Sequence, residues 1–295
     1  MMFDYVSFLQ NLSNGVLIGG VYALIGVGLT LVFGVMKLIN FAHGDFVILG
    51  MYCAVLLNSL LGWDPYLSLL VAMPLGFMAG ALLQRLVLSR LMEAPPESSL
   101  LVTLGLALVI GNILLLTFGA EPKSVNVSYA SSTVSLGDVS FSLILLLAGL
   151  ATMVVIAGLY TVLNHTELGR AIRATADNRL GAELVGINTR WIEAVVFGIG
   201  MALAVTAGVV LIPLLFATPT FSGAIFTLKA FVVTVLGGLG NIGAAIAGGL
   251  LLGVVEVMGA SYLTSDYRDA YGLLVFLLIL LLRPEGLFGK TVKRV

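Results

Sequence analysis

The chain is poor in charge. Only 10% of its 295 residues are Asp, Glu, Lys or Arg, against roughly 25% in soluble domains. A soluble surface cannot be built from so few ionised side chains. The net charge of −1 removes the basic footprint that nucleic-acid binding needs. The single cysteine, Cys53, excludes an internal disulfide and a cysteine-based metal cluster. The two histidines, His43 and His165, are too far apart for a zinc motif, and no cofactor is expected. No G-x-x-x-x-G-K-[ST] loop occurs, so ATP chemistry has no place on this chain. Residues 1–15 carry Asp4 and no Lys or Arg, so the positive segment of a cleavable signal is missing and the first apolar run is expected to stay.

What is abundant is apolar surface. Hydrophobic residues make up 60% of the chain and the mean hydropathy is +1.13. At about 20 apolar residues per crossing, the expected fold is an all-α, polytopic membrane protein. It forms a single transmembrane domain over 1–295 with about eight or nine membrane helices. The 35 glycines suit close-packed or interrupted membrane helices. Charge-free windows place spans at 16–36, 46–61, 66–84, 98–120 and 139–164. The window 194–228 is divided by Pro213 and Pro219, with a sixth span before them and the start of a seventh after. Gly237 to Asn241 breaks the next run, ending the seventh span and opening the eighth, and 270–282 is a short ninth. Alternating spans put every basic residue except Lys123, Lys229 and Arg268 on one face. The positive-inside rule makes that face cytoplasmic, with the N-terminus outside and the C-terminus inside. Residues 20–57 and 226–263 each read as a span, an interruption with Asn and Gly, and a second span, which makes them a candidate parallel repeat.

Three segments carry polar chemistry. Between the first two spans, Lys37, Asn40, His43, Gly44 and Asp45 cluster within nine residues. Spacing favours a cytoplasmic hairpin with Asn and Asp as caps. The alternative is an interrupted helix whose free backbone groups line a pathway, with Asn40, His43, Gly44 and Asp45 on it, joined by Gly238 and Asn241 from the later break. The second segment is the polar loop 165–190. Leu168, Ile172, Ala176 and Leu180 recur every four residues, as on one helix face, with Glu167 at its start, Ala182 beside the face and Gly186 closing it. A face this small suits protein docking better than lipid insertion. Third, Lys229 and Glu256 sit at matching depth if spans seven and eight form a hairpin, and a buried ion pair is favoured over a substrate or proton site. The tail from Leu282 to Gly289 reads as a membrane exit in which Pro284 stops the helix and Gly286 turns the chain.

Four ordered stretches then carry a resemblance: GVMKLINFAHGDF from Gly34, GRAIRATADNRLGAELVGIN from Gly169, GGLGNIGAAIAGG from Gly237 and LRPEGLFG from Leu282. Together they resemble the permease subunits of branched-chain amino acid ABC importers, of the H-type in the leucine/isoleucine/valine system. The resemblance implies a bacterial inner-membrane protein that pairs with a homologous permease subunit, as a heterodimer or homodimer. It also implies two ATP-binding subunits, a periplasmic substrate-binding protein and surrounding lipid as partners. Glu167, Leu168, Ile172, Ala176, Leu180, Ala182 and Gly186 would then form the segment that couples to the ATPases. The rival reading is an ion-gradient-driven secondary transporter using Lys229, Glu256 and Asp45.

Overall fold

A computed structural model describes residues 5–91, 95–137, 139–219, 222–283 and 286–287. In chain order the helices are α1 (Tyr5–Met36), α2 (His43–Leu61), α3 (Leu69–Leu86), α4 (Pro96–Phe118), α5 (Leu143–His165), α6 (Glu167–Asp177), α7 (Arg179–Leu184), α8 (Thr189–Leu211), α9 (Ser222–Gly237), α10 (Ile242–Tyr262) and α11 (Arg268–Leu282). Two short antiparallel strands, β1 (Thr133–Leu136) and β2 (Val139–Ser142), precede α5. Seven of these helices are long and apolar enough to cross a membrane, whereas α9 and α11 are shorter apolar helices.

Each expected window holds one of the helices α1–α5 and α8–α11, with three informative differences. α1 begins at Tyr5 and runs 32 residues, because its polar first turns satisfy themselves. Ser13 Oγ donates to the Leu9 carbonyl at 2.8 Å and Gln10 Nε2 to Asn14 Oδ1 at 3.4 Å. The fifth span starts at Leu143, since 139–142 pairs as a strand with 133–136 across a turn at Gly137. The third starts at Leu69, because Asp64 Oδ1 accepts from the Tyr66 N–H at 2.9 Å and holds residues 64–68 in a turn. The Asp64 carboxylate also accepts from the Tyr129 hydroxyl at 2.6 Å and so fastens the 119–142 connection. Burial and that carboxylate push the Tyr129 phenol above its ordinary range.

α1 and α8 form the buried centre, while α3, α4, α5 and α11 present exposed apolar faces at the periphery, as lipid-facing helices do. Between membrane helices no solvent drives association, so close backbone packing must. α1 and α10 meet through small residues four apart. A Cβ added at Gly19 would lie 2.8 Å from the Leu250 Cα, one at Gly253 would lie 2.3 Å from the Gly19 Cα, and one at Gly249 would lie 2.4 Å from the Ala23 Cα. α2 and α8 approach as closely, since a Cβ at Gly208 would meet the Val47 carbonyl oxygen at 1.9 Å.

The two interruptions of the candidate repeat are built differently. The later one is a tight turn: Gly238 and Gly240 take positive φ, and Asn241 caps α10 by accepting from the Ala244 N–H at 3.1 Å. The earlier one is a non-helical stretch over 37–42 that returns into the protein. Pro284, Glu285, Phe288 and Gly289 lie outside the described residues. Gly286 has φ 85° and sits over Gly238, and the Leu287 N–H donates to the Leu236 carbonyl at 2.9 Å, satisfying a carbonyl at the end of α9.

Candidate functional site: a half-open cavity and an exposed helical face

The stretch after α1 is an interior element, which corrects the expected hairpin. Asn40 and His43 are fully buried and Asp45 nearly so. His43 Nε2 donates to the Ile25 carbonyl at 2.9 Å. That carbonyl lies about 16 Å back from the end of α1 at 1.5 Å per residue. Asn40 Oδ1 accepts from the Ala42 N–H at 3.1 Å and its Nδ2 lies 3.5 Å from Met201 Sδ, midway along α8. The cap of α2 is Ala42, with no side-chain capping bond. Polar groups thus sit deep because the broken backbone needs partners: Thr227 Oγ1 donates to the Phe41 carbonyl at 3.0 Å and accepts from the Gly44 N–H at 2.9 Å. Gly44 permits this approach, since a Cβ there would meet the Gly223 carbonyl oxygen at 2.0 Å.

This broken segment forms one wall of a cavity of about 840 Å³. Ile39, Asn40, Phe41 and Asp45 face Leu104, Ala107, Leu108, Gly111 and Asn112 of α4 and Ala224, Thr227, Leu228 and Phe231 of α9. The size is that of a small-molecule site, mostly apolar with a few polar groups. α4 leans on α2 and on the turn at 88–91, and its Leu101, Leu108 and Leu116 are exposed. Of the sequence-predicted path residues, Asn40 and Asp45 line the cavity. His43 and Gly44 pack behind it. Gly238 and Asn241 lie away from it, in the α9–α10 turn. Thr227 and Asn112 are additions that apolar windows concealed.

Lys229 and Glu256 meet as an ion pair in the interior. The cluster is larger than a pair: Lys229 Nζ also bonds Asp269 at 2.8 Å and lies 4.6 Å from the Tyr22 ring centre, the Tyr22 hydroxyl donates to Glu256 at 2.8 Å, and Arg268 stands 3.7 Å from Glu256. Two cations face two carboxylates, and the cluster joins α1, α9, α10 and α11.

The loop 165–190 is two helices rather than one. Thr166 caps α6 by accepting from the Gly169 N–H, and Asn178 breaks the run and caps α7 through the Gly181 N–H at 2.9 Å. This divides the expected face. Ile172 and Ala182 are buried in their own protein, Leu168 and Ala176 are half-buried, and Leu180 is 67% exposed. The face at Ile172 is therefore occupied, contrary to the expected docking stripe. The outward apolar surface is Leu180, Leu184 and Val185. Gly169 seats α6, because a Cβ there would meet the Leu163 carbonyl oxygen at 2.0 Å, and Gly186 closes α7 with φ 89°. Behind α7, Arg179 Nε donates to the buried Glu193 of α8 at 2.8 Å, and Gln84 of α3 donates to the same carboxylate at 3.4 Å. The lone acid at the head of an apolar run was the signal for that link.

Residues 11–283 match the family described as branched-chain amino acid transport system / permease component. The high-affinity branched-chain amino acid transport system permease protein LivH of Salmonella typhimurium is 31% identical, over 97% of each chain. The corresponding protein BraD of Pseudomonas aeruginosa is 34% identical over 96% of each. The autoinducer 2 import system permease protein LsrC of Escherichia coli is 31% identical over 82% of this chain and 66% of its own length. No solved structure matches. With a family match over nearly the whole length and seven apolar candidate spans, this chain belongs to the permease components of branched-chain amino acid transport systems.

Proposed function

We propose that this permease subunit imports branched-chain or related amino acids in an ATP-driven complex. Its partners are a homologous permease subunit, two ATP-binding subunits and a periplasmic substrate-binding protein, in the bacterial inner membrane, with the N-terminus periplasmic and the C-terminus cytoplasmic. The observation that carries this reading is the family match over residues 11–283 on a chain without a nucleotide-binding loop. Ligand passes through the cavity between α4, α9 and the broken segment. ATP-driven movement enters at α6 and α7. Three features support that entry point: the outward Leu180, Leu184 and Val185, the Gly169 seat that fixes α6, and the Arg179–Glu193–Gln84 link that ties α7 to α8 and α3. The cluster around Lys229 is structural. Membership of the permease family sets aside the ion-gradient carrier.

The test is reconstitution in lipid vesicles of the chain alone, then with its ATP-binding subunits, partner permease and binding protein. Uptake is expected only in the complete assembly and only with ATP inside. Ion-gradient-driven uptake by the lone chain would overturn the proposal.

A further inference from the structure

Among the described residues that line it, the cavity holds one acidic group and no basic one. Asp45 lines it, and among the described residues no Lys, Arg or His nitrogen lies within 4.0 Å of its carboxyl group. Among the described residues the other buried charged groups, Glu193, Lys229 and Glu256, are paired. An acid kept unpaired in a membrane-spanning protein marks a functional position. Its own backbone N–H bonds the carboxyl group, which also lies on the first turn of α9, but neither is a charged partner. α2 has no side-chain capping bond, and Asp45 stands in its first turn with the carboxyl group pressed on Gly223, where a Cβ would lie 2.3 Å from Oδ1. Placement near a helix N-terminus favours negative charge there without filling the cavity side.

Of the other polar groups on the wall, Asn40 accepts from the Ala42 N–H through its Oδ1 and sets its Nδ2 3.5 Å from Met201 Sδ. Asn112 spends its Nδ2 on the Leu108 carbonyl at 2.7 Å, which leaves its Oδ1 unengaged. Thr227 has committed its hydroxyl hydrogen to the Phe41 carbonyl. Leu104, Ala107 and Phe231 complete an apolar wall. Such a cavity offers a place for the ammonium group and the hydrocarbon side chain of a ligand. We infer that Asp45 is the group of the cavity that binds the ligand's ammonium. The inference rests on the cavity being the transport path. It separates ligands with an amino group from neutral or purely anionic ones.

Binding is measured on the permease pair with its ATP-binding subunits in nanodiscs, without the substrate-binding protein, using radiolabelled L-leucine as probe, and uptake on the complete assembly in vesicles. Isoamylamine, which keeps the ammonium and lacks the carboxylate, is expected to displace leucine. The matched oxo acid, 4-methyl-2-oxopentanoate, is expected to be at least tenfold weaker. Asp45→Asn is expected to weaken leucine binding at least tenfold, and Asp45→Glu to retain most of it. Ala107→Trp, which fills the cavity, tests the path itself and is expected to block ATP-driven uptake. If Ala107→Trp blocks uptake but Asp45→Asn binds leucine like the wild type, or the oxo acid competes as well as the amine, the ammonium assignment falls and the path stands. If Ala107→Trp leaves uptake unchanged, or the wild type does not bind leucine, both fall. Should Asp45→Asn not assemble, the competitor series on the wild type decides.

Discussion

Lys229 shows how far one side chain reaches. It bonds Glu256, which is almost wholly buried, and Asp269, which is half open. Removing it takes the ammonium from two carboxylates and leaves Glu256 with the Tyr22 hydroxyl and the more distant Arg268, whereas removing Glu256 leaves Lys229 with Asp269. Breaking a buried pair costs about 3–5 kcal/mol, so Lys229→Met is expected to destabilise by about that much and Glu256→Gln by less. The double variant should recover part of the loss. Thermal unfolding in nanodiscs measures this. Full stability of each single variant with loss of uptake would make the cluster functional instead. The Lys229–Glu256 depth match was legible from the sequence. Tyr22, Arg268 and Asp269 were not, because they converge from α1 and α11, whose packing no spacing rule reports.

At the scale of elements, α7 and the α1–α10 crossing carry separate expectations. Leu184 is 82% exposed, so Leu184→Glu should leave the fold intact while lowering ATPase-subunit affinity and uptake together. Gly186 has open space around it but φ 89°, a conformation that β-branched residues resist. Gly186→Val is therefore expected to misplace α7 and to uncouple ATP hydrolysis from uptake in the reconstituted complex. Glu193→Gln removes the acceptor charge between Arg179 and Gln84 and should raise ATP hydrolysed per ligand moved, with assembly unchanged. Wild-type coupling ratios in Gly186→Val and Glu193→Gln, together with wild-type ATPase-subunit affinity in Leu184→Glu, would remove α7 from the energy path. At the crossing, Gly19→Leu or Gly253→Leu forces side chains into backbone. Over-packing costs about 1–3 kcal/mol or more, so both variants should show lower unfolding temperatures than a Leu placed at the open Gly158.

For the molecule as a whole, the boundary between what was legible and what was not follows a physical line. The sites of the apolar helices, the all-α class and the position of the polar loop follow from composition and charge-free length, because a bilayer demands apolar helices of set length and leaves little else available. Caps at Thr166, Asn188 and Asn241 act within a few residues and so belong to local sequence. Asn40, His43 and Asp45 are different. Between two apolar runs they read as an exposed hairpin, and only packing against Ile25, Met201, Gly223 and Thr227 buries them. The division of the 167–184 stripe is likewise tertiary, since Ile172 and Leu180 share a spacing but Asn178 turns one inward and leaves the other out. Periodicity reports which residues share a face of an ideal helix. Which face meets the interior, and which meets a cavity, is set by contacts between residues as far apart as Gly44 and Thr227, and that information is not held in any local stretch of the chain.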